Sequence, residues 1–248
     1  MVIDLPKEFG ALVAKYKLDF LAKGVLDNRN NVWSLGTDTK VISTIFELFA
    51  RPLVHEIAAK YGYTVQESSS QTIYPDFTLM KTKSAKDKIA IDVKTTYRRS
   101  GPAGIGFTLG SYTSFLRNNT KNIEFTYDEY VEHWVLGFVY TRNATAFEVR
   151  PLKEQAKINL PYTNVEWFAQ EKYRIAGESP GSGNTTNIAS IRSNSIAEFV
   201  SGNGPFAPHG EAVFKEYWAN YGKVKDSREF RNVEEFLAWK KSLLRNQK

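Results

Sequence analysis

The sequence predicts a mixed α/β (α+β) domain in which a central mixed β-sheet is flanked by helices. Three observations carry that expectation. Residues 134–140 form a near-continuous apolar run, as in a strand buried on both faces. Between Val41 and Ile57, apolar residues recur at helical spacing over a wide face. Short β-branched and aromatic segments at 63–66, 77–80 and 89–95 lie between them.

In chain order, Leu5, Phe9, Leu12, Val13, Tyr16 and Phe20 give the first twenty residues an amphipathic helical pattern. Residues 28–31 are turn-like, and 32–35 read as a short strand. Asp38 or Thr39 caps the next helix, whose apolar face comprises Val41, Ile42, Ile45, Phe46, Phe49, Leu53 and Ile57. Pro52 lacks an amide proton and is expected to kink it; Gly62 is expected to end it. The strands at 77–80 and 89–95 are joined by a charged hairpin turn at 81–88. Residues 100–106 form a Gly/Pro loop and 178–187 a Gly/Ser/Asn/Thr loop. Helices return at 195–201, 211–221 and 233–244. No repeat or linker divides the chain, so 1–248 reads as one domain.

Composition narrows the function classes. Net charge is +6 and the pI about 9.2, a mild preference for an acidic partner such as nucleic acid. The absence of cysteine excludes disulfides and thiolate zinc sites. His55, His133 and His209 are too dispersed in sequence to suggest a histidine-rich metal site. The N-terminus lacks the basic start and apolar stretch of a signal peptide, and the run at 134–140 is too short to span a bilayer. These features suggest a cytoplasmic protein with no membrane association.

Ile89-Ala90-Ile91-Asp92-Val93-Lys94 begins as a buried strand and ends in two charges. Alternation places Asp92 and Lys94 on one face and Val93 on the other. Sixteen residues earlier, Pro75-Asp76 opens another strand. If a short turn pairs the two strands, Asp76 comes beside Asp92. Adjacent carboxylates repel unless a proton or cation joins them. Hard oxygen donors without His or Cys select Mg²⁺ or a similar ion, as in phosphate-ester chemistry, with Lys94 adding charge for the transition state. The plainer alternative is a surface ion pair beside a strand-start aspartate. Glu47 is a third acidic candidate, because it interrupts the apolar run Ile45-Phe46-Glu47-Leu48-Phe49; on pattern alone a solvent-facing helix position explains it better.

Gly181-Ser182-Gly183-Asn184-Thr185-Thr186-Asn187 is by composition a flexible turn. It also suits base reading: glycine permits close approach, the Asn amide matches adenine, and the Thr methyl matches thymine. Because the loop lacks Lys and Arg, phosphate contacts would come from Lys40, Arg98, Arg99, Arg117, Lys121 and the tail around Lys223, Lys225, Arg228 and Arg231. For any single one of these, a solvated surface charge is the better explanation.

Pro75-Asp76 followed by Asp92-Val93-Lys94 matches the pattern of the PD-(D/E)xK nucleases. More specifically, the stretches 35–49, 74–79, 89–97, 107–122 and 175–191 resemble the EcoRV-like type II restriction endonucleases. The resemblance implies a restriction-endonuclease-like core and a homodimer that cuts double-stranded DNA at a short palindrome with Mg²⁺, leaving 5′-phosphate ends. It implies GATATC, cut bluntly, as the site, and a cognate methyltransferase acting in the same system without a stable complex. It implies Asp76, Asp92 and Glu47 as metal ligands, Lys94 as the catalytic lysine and Gly181 to Asn187 as the major-groove loop. Gln71 would lie at the centre of a minor-groove loop, and Thr39, Thr95, Ser114 and Lys121 would contact the DNA backbone. Residues 1–35 would belong to a dimerisation part and 190–248 to a helical DNA-binding part. The chain departs from the family pattern at Thr72 and Ile73, where the family carries Asn and His, and in its last fifty residues. Two other readings stay open: another PD-(D/E)xK nuclease, such as a repair nickase or junction resolvase, and a catalytically inert sequence-specific DNA-binding protein.

Overall fold

The computed structural model describes residues 3–99, 104–181, 186–222 and 230–246. In chain order the elements are α1 (Leu5–Tyr16), β1 (Gly24–Leu26), β2 (Asn31–Ser34), α2 (Thr39–Lys60), β3 (Thr64–Glu67), β4 (Phe77–Met80) and β5 (Lys88–Tyr97). There follow β6 (Thr108–Ser111), β7 (Tyr130–Arg142), β8 (Val149–Pro151), β9 (Tyr162–Glu171), α3 (Lys172–Ile175), β10 (Ala176–Pro180), β11 (Asn187–Ser190), α4 (Ala197–Ser201), α5 (Gly210–Asn220) and α6 (Val233–Asn246).

The central sheet has the order β3-β4-β5-β7-β9. Only β5 and β7 run parallel; the other pairs are antiparallel. Strand β7 is enclosed on both edges and both faces, as its apolar run predicts. The pleat divides β5 between two cores. Ile89, Ile91 and Val93 pack on the α1–α2 side with Phe9, Phe46 and Leu53. Ala90 faces a second cluster with Phe115, Phe168, Phe199 and Trp218. Asp92 and Lys94 share the parity of Ala90 and therefore open towards this second side.

Helix α2 starts where its cap predicts: Asp38 Oδ1 accepts from the Lys40 amide at 2.8 Å. It buries Ile42, Phe46, Ala50, Leu53, Val54 and Ile57, carries Pro52 inside, and gives way at Tyr61 to Gly62 in the left-handed region. Helix α1 ends earlier than the apolar spacing suggests. Lys17 takes a left-handed conformation at φ 51°, so Phe20 lies beyond the helix; its ring still stacks on Phe9 at 6.4 Å.

Two other expectations are corrected. Lys88 is no solvated turn residue: it starts β5 fully buried, with Nζ 2.6 Å from Glu129 and capping the Lys83 carbonyl. The loop expected at 178–187 is narrower, since β10 runs to Pro180 and β11 begins at Asn187. These strands pair, and β6 completes a small sheet. A third sheet has the order β1-β2-β8.

Candidate active site

Antiparallel pairing sets Phe77 opposite Ile91 and Thr78 opposite Ala90, so one step outward the same register sets Asp76 opposite Asp92. The Val93 amide donates to Asp76 Oδ2 at 2.6 Å and fixes that carboxylate against β5. Asp92 is 3% exposed. Its Oδ2 lies 2.9 Å from Lys94 Nζ, yet it is buried without a hydrogen-bond partner. Asp76, Asp92 and Lys94 open into one cavity of about 420 Å³, lined also by Gln71, Thr72, Tyr74, Ser114 and Asn187.

Burial, and then the charge of Asp92, raises the Asp76 carboxyl above the usual carboxylate range. Burial acts to lower the Lys94 ammonium, but Asp92 and Asp76 outweigh it, and the net shift is upward. Glu47, half-buried on α2, is raised by burial and feels both Lys94 and Asp92. Asp76, Asp92 and Glu47 are carboxylates whose mutual repulsion a cation would relieve.

The donor set fits a divalent hard cation. Two carboxylates converge across the sheet, and Asp92 Oδ2 lacks a hydrogen-bond partner. Among the described residues no group of three His, Asp or Glu side chains is placed to cage an ion. Most coordination positions would therefore fall to water and substrate oxygens.

The other residues singled out by the sequence lie in different places. Thr39 and Thr95 line a neighbouring cavity of about 400 Å³ that shares Lys94. Thr95 Oγ1 is 2.5 Å from Ser43 Oγ. Ser114 is buried and donates to the Lys121 carbonyl at 2.7 Å, while the Lys121 side chain stays exposed. The Gly181 amide donates to the Asn187 carbonyl at 2.8 Å, closing the neck of the hairpin. Thr186 Oγ1 sits 3.0 Å from Ser111 Oγ. Ser182, Gly183, Asn184 and Thr185 lie outside the described residues, as do Lys223, Lys225 and Arg228. Arg98 is ion-paired with Glu166, and Arg117 donates to the Tyr221 carbonyl over the Tyr112 ring, so both are committed to protein partners.

Sequence reasoning missed the group behind Asp92. Lys172 is buried with Nζ 3.8 Å from Asp92 Oδ2 and 3.7 Å from the centre of the Tyr74 ring. The Tyr74 hydroxyl meets His133 Nδ1 at 2.8 Å, and His133 Nε2 lies 3.3 Å from Glu211 Oε1. Burial lowers Lys172 to about 8, drives His133 well below its ordinary value and pushes Glu211 up to about 7. Gln170-Glu171-Lys172-Tyr173-Arg174 looks like a solvated run, and nothing in it signals that Lys172 turns inward.

A family model described as Restriction endonuclease EcoRV matches residues 16–241. The chain is 47% identical over 221 residues to the type II restriction enzyme EcoRV of Escherichia coli, covering 87% of this chain and 89% of that protein. Among solved structures, the NlaIV restriction endonuclease matches with a TM-score of 0.45 at 12% identity, covering 96% of each chain.

Proposed function

The chain belongs to the EcoRV restriction endonuclease family, and from that premise we propose that it hydrolyses phosphodiester bonds in double-stranded DNA at a short palindrome. The observation that carries this reading is the meeting of Asp76, Asp92 and Lys94 in one open cavity. Asp76 and Asp92 would hold Mg²⁺, with Glu47 as an auxiliary acid. When bound, such an ion acts as a Lewis acid that activates water and offsets negative charge growing on the phosphorus. Lys94 keeps its proton because two carboxylates raise its affinity, so it faces the attacked phosphate as a cation.

Specificity falls to the segment Gly181 to Asn187 that joins β10 and β11, whose residue types suit the major groove and GATATC in particular. Asn187 and Gln71 line the catalytic cavity, so base reading and cleavage would share one wall. Thr39, Thr95, Ser114 and Lys121 would meet the DNA backbone beside it. A blunt cut at a central TA step uses the step most easily bent.

Cutting both strands of a palindrome calls for a two-fold assembly. The β1-β2-β8 sheet supports a homodimer: Val25, Trp33 and Val149 are cross-strand neighbours and all exposed, and Phe147 lies against Trp33 with ring centres 6.1 Å apart. The enzyme would act on DNA in the cytoplasm, beside a methyltransferase that protects the same site without a stable complex. Among the described residues no helix is long and apolar enough to cross a membrane.

Digestion of a sequenced plasmid with and without Mg²⁺, with fragment ends mapped, tests the proposal. Discrete blunt fragments that require Mg²⁺ and vanish in Asp92→Asn and Lys94→Ala are expected. Nicks alone, or cleavage confined to branched DNA, would reassign the chain to repair or junction resolution. Binding without cleavage by the wild-type chain would mark an inert DNA-binding protein.

A further inference from the structure

Lys172 is a buried cation beside Asp92 that the reading above does not use. Its ammonium is almost fully buried, has no hydrogen-bond partner, and, among the described residues, has Asp92 as its only acidic group within ion-pair distance. The Tyr74 ring at 3.7 Å and the Phe115 ring at 5.4 Å lie against it, and Glu211 and Asp76 attract it from farther away. Burying an ammonium in this way is costly, and an apolar side chain of similar length would serve packing as well or better. The charge therefore calls for a reason other than the stability of the fold.

Geometry supplies one. Asp92 Oδ2 lies between two ammonium groups, Lys94 at 2.9 Å on the cavity side and Lys172 at 3.8 Å on the buried side. Asp92 lines the cavity; Lys172 does not. Lys172 can touch neither substrate nor solvent, and acts only through the carboxylate it backs. Resting on the reading of Asp92 as a metal ligand, we infer that Lys172 is a positioning residue of the metal site. It acts on Asp92 from behind through its charge, offsetting part of the negative charge that attracts a divalent cation. The ion is then held most firmly once a DNA phosphate adds its own charge, which keeps the enzyme less loaded away from its substrate.

The test is Mn²⁺ binding to the full-length, DNA-free protein, followed by calorimetry. Lys172→Met should fold and bind Mn²⁺ about fivefold tighter or more, because a positive charge close to the ion is gone. Lys172→Arg, which keeps the charge, should return affinity towards the wild-type value. A merely structural role gives the opposite sign, since a loosened Asp92 binds the ion more weakly. Weaker binding by Lys172→Met, or binding tighter than wild type by less than about fivefold, overturns the inference. So does failure of both Lys172→Met and Lys172→Gln to fold, which would assign the ammonium to the core. Asp92→Asn separates the two readings. If it binds Mn²⁺ like wild type, the metal-site reading itself fails; if it binds weakly while Lys172→Met is unchanged, only the role of Lys172 fails.

Discussion

The amide of Val93 donates to Asp76 Oδ2 at 2.6 Å, so a side chain takes a main-chain donor just beyond the β4–β5 ladder. This bond fixes the orientation of the Asp76 carboxylate, as a preorganised ligand position would require. Asp76→Asn keeps a carbonyl oxygen for Val93 and removes the charge. Cleavage should fall by about a thousandfold or more, while unfolding free energy changes by about 1 kcal/mol or less. Single-turnover cleavage beside thermal unfolding measures both. A stability loss as large as the activity loss would make Asp76 a structural residue.

Trp33 occupies the centre of the exposed row Val25–Trp33–Val149 and anchors its indole nitrogen on Asp27 at 2.8 Å. A half-exposed Trp in such a row is the residue type that dominates interfaces. Trp33→Glu should weaken dimerisation by about thirtyfold or more, with little effect on monomer unfolding. Sedimentation across a concentration series reads the first quantity, and circular dichroism the second. An unchanged oligomeric state would place the interface elsewhere.

What the sequence made legible was local. The period-two alternation around Asp92 and Lys94, with a short connection back to Phe77, was enough to bring Asp76 across from Asp92, because antiparallel pairing through a tight turn leaves few registers. The Asp38 cap was readable for the same reason, since its partner is two residues away. Lys172, Tyr74, His133 and Glu211 come from four distant segments, and only tertiary packing brings them together. Lys88 was hidden by its neighbours, which are charged and exposed while it is not. Strand β9 escaped notice because Asn164 and Glu166 break its apolar pattern at an edge of the sheet.

Gly137 shows how closely packing and the site are joined. It is the register partner of Lys94 on β5 and of Phe168 on β9. A Cβ there would lie 2.1 Å from Phe168 Cε1. Phe168 cannot easily swing away, because Phe107 and Phe199 hold its ring at 5.5 and 5.3 Å. Gly137→Ala should therefore cost about 1–3 kcal/mol of unfolding free energy and lower cleavage by displacing β5 beneath Lys94. Adding Phe168→Leu should recover part of both losses. Denaturant unfolding of the single and double variants decides; additive losses would mean that the overlap is relieved elsewhere.

Glu211 gives a pH dependence of definite sign. Its Oε1 accepts from the Tyr127 hydroxyl at 3.3 Å and lies 3.3 Å from His133 Nε2. Burial raises its carboxyl from 4.5 in the unfolded reference to about 7, against the pull of Tyr127 and Lys172. The fold thus favours the protonated form. That contribution to stability is complete below the unfolded value and is lost as pH rises through the folded value, where ionisation must occur inside the protein. Glu211→Gln carries no such loss. Its stability relative to wild type should grow by about 3 kcal/mol between about pH 4.5 and about pH 7.5, then level off. His133, held well below its ordinary value by burial, becomes easier to accommodate over the same range as the unfolded chain loses its proton. That effect is shared by both proteins and cancels in their difference. Thermal unfolding of the pair across a pH series reads it directly; parallel curves would mean that Glu211 ionises as freely in the fold as in water.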